Sequence, residues 1–407
     1  MRRVVVTGMG GLTALGNDWA TIRGRFARGE TAIRTMPEWN RFHGVNTRLA
    51  APVPSFSLDD RWPRKKTRTM GPVARMAVFA TEAALADAGL LGQAVLRSGR
   101  TGVAYGSSFG SPGPVIAFAE LMTNGQSRGL NATSYIQMMS HTAAVNIGLF
   151  FGITGRTIPT SSAYTSGSQA IGYAFETIRW GRADVMVAGG ADELDITQTA
   201  VFDTLFATSV RNDTPHLTPR PYDKDRDGLV IGEGATTLVL EAYEHALARG
   251  APVLAEIVGF GTNTDGHHAT QPRAETMAVA LRLALQDAGL PPEAIGYVNG
   301  HGTATEWGDI AESVATASVL GTLVPVHSLK SYFGHTLGAC GAMEAWMGIE
   351  MMREGWLAHT ANLETVDPRC AELDYVMGEP RRVEFEQFMS NNFAFGGINT
   401  SLVFRRM

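Results

Sequence analysis

One internal echo limits the architecture of this chain more than any other feature. Residues 76–90 read MAVFATEAALADAGL, and residues 277–290 read MAVALRLALQDAGL. Both place apolar residues at helical spacing and close on Asp-Ala-Gly-Leu, with a glycine where a helix would stop. After a spacer each is followed by a short strand pattern, Gly102-Val-Ala-Tyr105 or Ile295-Gly-Tyr-Val298. A glycine-rich loop comes next, Gly106-Ser-Ser-Phe-Gly110 or Gly300-His-Gly-Thr-Ala-Thr305. Repeats of this size decide a fold, because related units bury related faces. The expectation is two related α/β halves, roughly 1–250 and 251–407.

The rest of the chain keeps the same alternation. Residues 4–7 read as a buried strand running into glycines, 70–89 and 165–180 as helices, and 101–105 and 184–188 as strands. With 407 residues the chain has ample material for two large units. A net charge of −5 supplies no global field that would attract nucleic acid. The two cysteines, Cys340 and Cys370, are too few for a disulfide framework and fit a reducing cytoplasm. Arg2-Arg3 leads at once into a Thr-Gly-Met-Gly-Gly turn, so a signal peptide is not expected. No apolar run approaches the roughly 18 residues of a membrane span.

Chemistry concentrates in three residues. His301 lies in Asn299-Gly-His-Gly-Thr303, just after a strand. Lys330 and His335 lie in Ser328-Leu-Lys-Ser-Tyr-Phe-Gly-His335, between a strand and a helix. Loops at strand ends are held by a rigid scaffold and commonly carry sites. Neutral imidazole N–H groups in glycine-rich turns can polarise a thioester or carboxylate oxygen. Two further turns correspond between the halves: Ser162-Ala-Tyr-Thr-Ser-Gly167 and Tyr332-Phe-Gly-His-Thr-Leu-Gly338 each open a helix rich in small residues. Helix N-termini favour developing negative charge. Metal and nucleotide chemistry find no support. His267-His268 are adjacent rather than at zinc spacing, and Gly8-Met-Gly-Gly11 lacks the third glycine of a dinucleotide fingerprint.

Six segments, in order along nearly the whole chain, resemble the elongating β-ketoacyl-acyl-carrier-protein synthases of the thiolase superfamily. They are Val4-Val-Val-Thr-Gly-Met-Gly10, Ser162-Ala-Tyr-Thr-Ser-Gly167, Pro221-Tyr-Asp-Lys-Asp-Arg-Asp-Gly228, His301-Gly-Thr303, Lys330-Ser-Tyr-Phe-Gly-His335 and Asn392-Phe-Ala-Phe-Gly-Gly397. In style the chain is most similar to ketosynthases of aryl polyene pathways. The resemblance implies a five-layered αβαβα fold and a dimer. It also implies a decarboxylative Claisen condensation between acyl- and malonyl-carrier protein, in fatty-acid or polyketide synthesis, with no metal or redox cofactor. It gives His301 and His335 the malonyl thioester and its enolate. It has Lys330 orient His335 and pair with Glu312, and it lines the carrier arm's path with Thr303 and Thr305. The backbone N–H groups of residues 164 and Phe395 become the oxyanion hole, with Phe395 as a gate.

Tyr164 departs from that family, because it stands where the resemblance places the nucleophilic cysteine. A phenol, with a pKa near 10, is a poor substitute for a thiolate at neutral pH. Two readings follow. One is a ketosynthase whose nucleophile has been replaced and whose condensation is impaired. The other is a non-catalytic partner subunit, similar to the chain-length factors that pair with an active ketosynthase. The retention of His301, Lys330 and His335 favours the first. Arg61-Trp-Pro-Arg64-Lys65-Lys66-Thr-Arg68 holds five basic residues within eight. Such a run would steer an acidic carrier protein, with Arg64, Lys65 and Arg68 as the docking residues. Phe109 matches a family position in the acyl pocket. Assembly is expected as a homodimer or as a heterodimer with a related ketosynthase, through the region 135–142.

Overall fold

The two Asp-Ala-Gly-Leu segments terminate their helices by the same hydrogen bonds. This is seen in a computed structural model of the chain, which describes residues 1–54 and 61–407. The first helix, α1 (Pro72–Asp87), starts with proline at its first turn and runs to Gly89 at φ +67°. There Leu90 N–H donates to the Leu85 carbonyl at 2.8 Å. The helix Ala274–Ala288 stops at Gly289, φ +65°, and Leu290 N–H reaches the Leu285 carbonyl at 3.0 Å. Glycine takes the left-handed position without a Cβ clash, and the leucine after it returns to cover the last turn.

Eleven strands form the main sheet. They are β1 (Val4–Thr13), β2 (Thr101–Gly106), β3 (Thr157–Thr160), β4 (Val185–Asp192), β5 (Gly234–Ala242), β6 (Ala255–Thr264), β7 (Tyr297–Asn299), β8 (Pro325–His327), β9 (Asp374–Tyr375), β10 (Gln387–Ala394) and β11 (Ile398–Arg405). Their order is β9-β8-β7-β10-β11-β6-β1-β5-β4-β2-β3. From the middle outward each side reads alike: β1 pairs antiparallel with β5 and β5 with β4, and beyond them β4, β2 and β3 run parallel. On the other side β6 pairs antiparallel with β11 and β11 with β10, followed by parallel β10, β7, β8 and β9. The two sides meet where Val4–Val6 of β1 pair with 255–257 of β6.

The remaining helices used below are α2 (Val115–Asn124), α3 (Thr142–Phe151), α4 (Ser166–Arg179), α5 (Ile196–Thr204), α6 (Ala274–Ala288), α7 (Glu306–Leu320) and α8 (Cys340–Glu354). Helix α1 packs on β1 and β5, and α6 packs on β6 and β11. The packing is close because the strands carry glycine beneath the helices. A Cβ at Gly10 would lie 2.6 Å from the Ala80 carbonyl oxygen, and one at Gly261 would lie 2.2 Å from that of Ala280. Helices α4 and α8 pack on one another and touch strands of both sides, so they form a central layer between two sheet layers. With α1 and α3 outside one half of the sheet, and α6 with α7 packed on it outside the other half, the arrangement is the five-layered αβαβα thiolase fold.

The largest apolar cluster surrounds that central layer, with Ile171 and Phe175 of α4 against Met343, Trp346 and Met347 of α8. Burial on every side explains why α8 is apolar nearly all round. Helix α2 is the opposite case. It is apolar in sequence yet has no buried residue, and it leaves Ile116 and Met122 exposed. Among the described residues no helix is long and apolar enough to cross a membrane.

Candidate active site

The turn before α4 is wound by its own hydroxyls. Ser162 N–H donates to Ser166 Oγ at 2.9 Å, Thr165 Oγ1 donates to the Ser162 carbonyl at 2.7 Å, and Ser166 Oγ donates to the Ala163 carbonyl at 2.6 Å. Ala163 is forced to φ +50°, which lifts Tyr164 out at the head of the helix. The Tyr164 side chain is buried among Phe202, Leu229, Ile231, Leu337 and Cys340. Its ring meets His335 edge-on at 4.5 Å between centroids and lies 5.5 Å from Phe395. It is nearly parallel to His301 at 6.4 Å. Burial pushes the phenol pKa well up, with Cys340 adding to the shift, so the hydroxyl stays protonated.

Helix α7 shapes the His301 loop with two carboxylates. Glu312 accepts from the backbone N–H of His301 at 2.5 Å and of Gly302 at 2.7 Å, and Asp309 accepts from Thr303 and Ala304 at 3.0 and 3.1 Å. Both carboxylates are also tied to Tyr222, Glu312 by its hydroxyl and Asp309 by its N–H. Burial pushes Glu312 up to about 7. On the other loop, His335 N–H donates to the Val230 carbonyl at 2.7 Å, and Leu337 N–H donates to His335 Nδ1 at 3.1 Å. The His335 proton is therefore on Nε2, and that atom is buried without a hydrogen-bond partner among the described residues. The two imidazoles stand 5.2 Å apart, edge to face. Burial first, and then the Lys330 charge, holds both well below the ordinary histidine pKa, so both are neutral donors.

Lys330 does not behave as the resemblance implies. It pairs with Glu344 of α8 rather than with Glu312, and its Nζ lies 3.1 Å from His301 Nδ1 rather than on His335. Glu312 carries backbone amides instead. Burial works most strongly against the ammonium, but Glu344 together with Cys340 and Glu312 outweighs it, and the Lys330 pKa is raised. Asn392 completes the set, donating to Glu344 at 2.7 Å. Glu344 went unnoticed in the sequence although it left a signal: one acid inside the apolar run GAMEAWMG. Cys340 sits at the start of α8, and its thiol donates to the Tyr164 carbonyl at 3.2 Å. Burial drives its pKa up, so it is an inert neighbour rather than a nucleophile.

A cavity of about 730 Å³ opens onto this cluster, lined by Tyr164, His301, His335, Thr303, Thr305 and Phe395 among others. Thr303 Oγ1 and Thr305 Oγ1 are hydrogen-bonded to each other at 2.8 Å. Phe109 is exposed instead. It lines neither this cavity nor a second one of about 910 Å³ bounded by Met76, Ser111, Gln137 and Glu193. Arg64 and Lys65 lie exposed on the short helical turn Arg64–Thr67, and Arg68 lies exposed just after it.

Residues 1–246 match the β-ketoacyl synthase N-terminal domain, and residues 254–364 match the β-ketoacyl synthase C-terminal domain. The chain belongs to the β-ketoacyl synthase family. It is similar to 3-oxoacyl-[acyl-carrier-protein] synthase 2 of Vibrio cholerae, with 37% identity covering 100% of this chain and 99% of that one. The crystal structure of a β-ketoacyl synthase from Burkholderia phymatum shares 60% identity at a TM-score of 0.99, with both chains covered completely. The ketosynthase solved in complex with its chain length factor from Xenorhabdus doucetiae shares 26% identity at a TM-score of 0.84, covering 100% of this chain and 98% of that one. In class this ketosynthase is an acyltransferase of the 3-oxoacyl-carrier-protein synthase type, as in fatty-acid or polyketide synthesis.

Proposed function

We propose that this ketosynthase binds malonyl-carrier protein at the cavity above His301 and His335, and that its Tyr164 form decarboxylates without condensing. The observation that carries this is His335 Nε2, a buried N–H with no partner among the described residues, beside a second neutral imidazole. A buried unsatisfied donor is costly unless something arrives to accept from it. A malonyl thioester oxygen is such an acceptor. Its negative charge grows as the carboxylate leaves as CO₂, so donors fixed in place stabilise the enolate more than the ground state. One proton taken up at the α-carbon then gives the acetyl thioester.

Condensation needs the acyl group parked on the protein, and Tyr164 does not serve. Its phenol is held neutral, and its ring occupies the space beside both histidines. The role of the backbone N–H groups of Tyr164 and Phe395 as an oxyanion hole belongs to the same proposal. The exposed apolar face of α2, together with exposed Tyr135 and Met139, fits a second ketosynthase-fold subunit, either a copy or a relative. A cytoplasmic setting fits the two free cysteines. The partner-subunit reading rests on the missing thiol alone.

The test is intact-protein mass spectrometry after mixing with acyl-carrier protein, followed by product analysis with malonyl-carrier protein. The Tyr164 form is expected to gain no acyl group and to release acetyl-carrier protein slowly. The Tyr164→Cys variant is expected to become acylated and to condense. A Tyr164→Cys variant that stays unacylated, alongside activity only in a mixture with another ketosynthase, makes this chain a partner subunit.

A further inference from the structure

Tyr164 places a hydroxyl where the family resemblance places an acylated cysteine. Its ring stands edge-on to His335 at 4.5 Å and nearly parallel to His301 at 6.4 Å, and it lines the cavity that opens onto both. A tyrosine buried this far usually gives its hydroxyl a partner. Here the nearest rings besides the imidazoles are Phe202 and Phe395, and the hydroxyl makes no hydrogen bond among the described residues. Unlike His335 Nε2, it is not sealed from solvent, so its proton can exchange with water in the cavity.

An enolate formed at the two histidines has to gain one proton at its α-carbon. The imidazole N–H groups hold the enolate oxygen, and surrendering either proton would leave an imidazolate. Lys330 is committed to Glu344 and to His301 Nδ1. The Cys340 thiol donates to the Tyr164 carbonyl, and the Thr303 and Thr305 hydroxyls bond each other. The phenol is the proton donor beside both imidazoles that nothing else engages among the described residues. Burial keeps it un-ionised, so it carries its proton at neutral pH. A thioester enolate is a stronger base than a phenolate, so the transfer runs downhill.

We propose that Tyr164 is the general acid of the decarboxylation, giving its phenol proton to the α-carbon of the enolate. The inference rests on the decarboxylation reading above and names the group that completes it. The bond from the α-carbon to the carboxylate breaks, CO₂ leaves, and the electron pair stays with the enolate. That pair forms a C–H bond with the phenol proton, and the O–H pair remains on Tyr164 as a phenolate. The phenolate takes a proton back from cavity water, and the hydroxide so formed combines with CO₂ as bicarbonate. A C–H bond thus forms where an acylated cysteine would yield a C–C bond.

The experiment follows acetyl-carrier protein formed from malonyl-carrier protein by the full chain in equal parts of H₂O and D₂O. Mass spectrometry reads the rate and the H/D ratio in the acetyl group. That ratio reports which group delivers the proton, whatever step limits the rate. Tyr164→Phe keeps the ring, so its melting temperature is expected to stay nearly unchanged. An enolate that waits for a proton recaptures CO₂, so product formation is expected to fall about tenfold to a hundredfold. The H/D ratio is expected to shift, because water then delivers the proton. An unchanged ratio in Tyr164→Phe overturns the proposal, and if the rate falls as well, the hydroxyl only shapes the pocket. If the unaltered chain forms no acetyl-carrier protein, the decarboxylation reading itself fails.

Discussion

Lys330 Nζ lies 3.1 Å from His301 Nδ1, and both side chains are buried. An ammonium can only donate, so His301 presents a lone pair at Nδ1 and keeps its proton on Nε2. His335 reaches the same tautomer by another route, accepting from Leu337 N–H at Nδ1. One cation and one backbone amide thus turn both imidazoles into Nε2 donors. Glu344 is needed because a buried ammonium without a counter-ion would not stay charged.

Replacing Lys330 by methionine should therefore cost twice. It leaves the His301 tautomer to the longer Asn392 Nδ2 contact at 3.3 Å, and it strands Glu344 as a buried carboxylate without its cation. Carbon dioxide release from malonyl-carrier protein is expected to fall by at least about tenfold. Stability in urea is expected to drop by about 3–5 kcal/mol. The double change Lys330→Met with Glu344→Gln should recover much of the stability but not the rate. Recovery of both would reduce Lys330 to a folding role.

The neutral state of the two histidines has its own signature. Burial keeps both pKa values well below the ordinary 6.5, so neither should titrate there in the folded protein. The rate of CO₂ release should show no inflection near pH 6.5. An acid limb with a midpoint at that value would mean that one imidazole is solvated.

Glu312 gives the opposite sign. Its folded pKa, raised by burial to about 7, exceeds the ordinary 4.5, so the folded protein binds this proton more tightly than the unfolded chain. The associated stability is fully present below about pH 4.5 and is lost as pH rises through about 7. Glu312→Gln removes this dependence. The stability of the unaltered chain relative to the variant should fall across that window, by at most about 3 kcal/mol, and level off above it. Denaturation curves at several pH values check this.

Much of the fold was legible because the repeat encodes it physically. The Asp-Ala-Gly-Leu ends are caps, and the strand glycines beneath α1 and α6 are contact points for helix backbone. The expected helix 165–180 is Ser166–Arg179. The strand expected at 184–188 continues to Asp192, whose carboxylate accepts from Ser107, Ser108 and Gly338 inside the core. The histidines could be found because their turns are rich in glycine. The partner of Lys330 could not, since Glu312 and Glu344 are both helix acids that burial leaves inside the protein, and only tertiary packing decides which one faces the ammonium.

The basic run supplies the last prediction. Arg61 is engaged by Glu82, and Lys66 lies over the Phe150 ring at 4.8 Å. Arg64, Lys65 and Arg68 are exposed and make no ion pair among the described residues. Their charge is therefore available to a partner rather than spent on the fold. Attraction between exposed charges is long-ranged at low salt and is screened over about 10 Å at 0.1 M. Reversing all three to glutamate should leave the melting temperature nearly unchanged. It should weaken binding of acyl carrier protein by about tenfold or more at low ionic strength, mainly through slower association. The deficit should shrink as salt is added. Titration calorimetry and stopped-flow association at two salt concentrations read both parts. Unchanged affinity at low salt would place carrier docking elsewhere on the surface, and a loss that salt does not reduce would mean that the substitutions act by damaging the short helical turn rather than by charge.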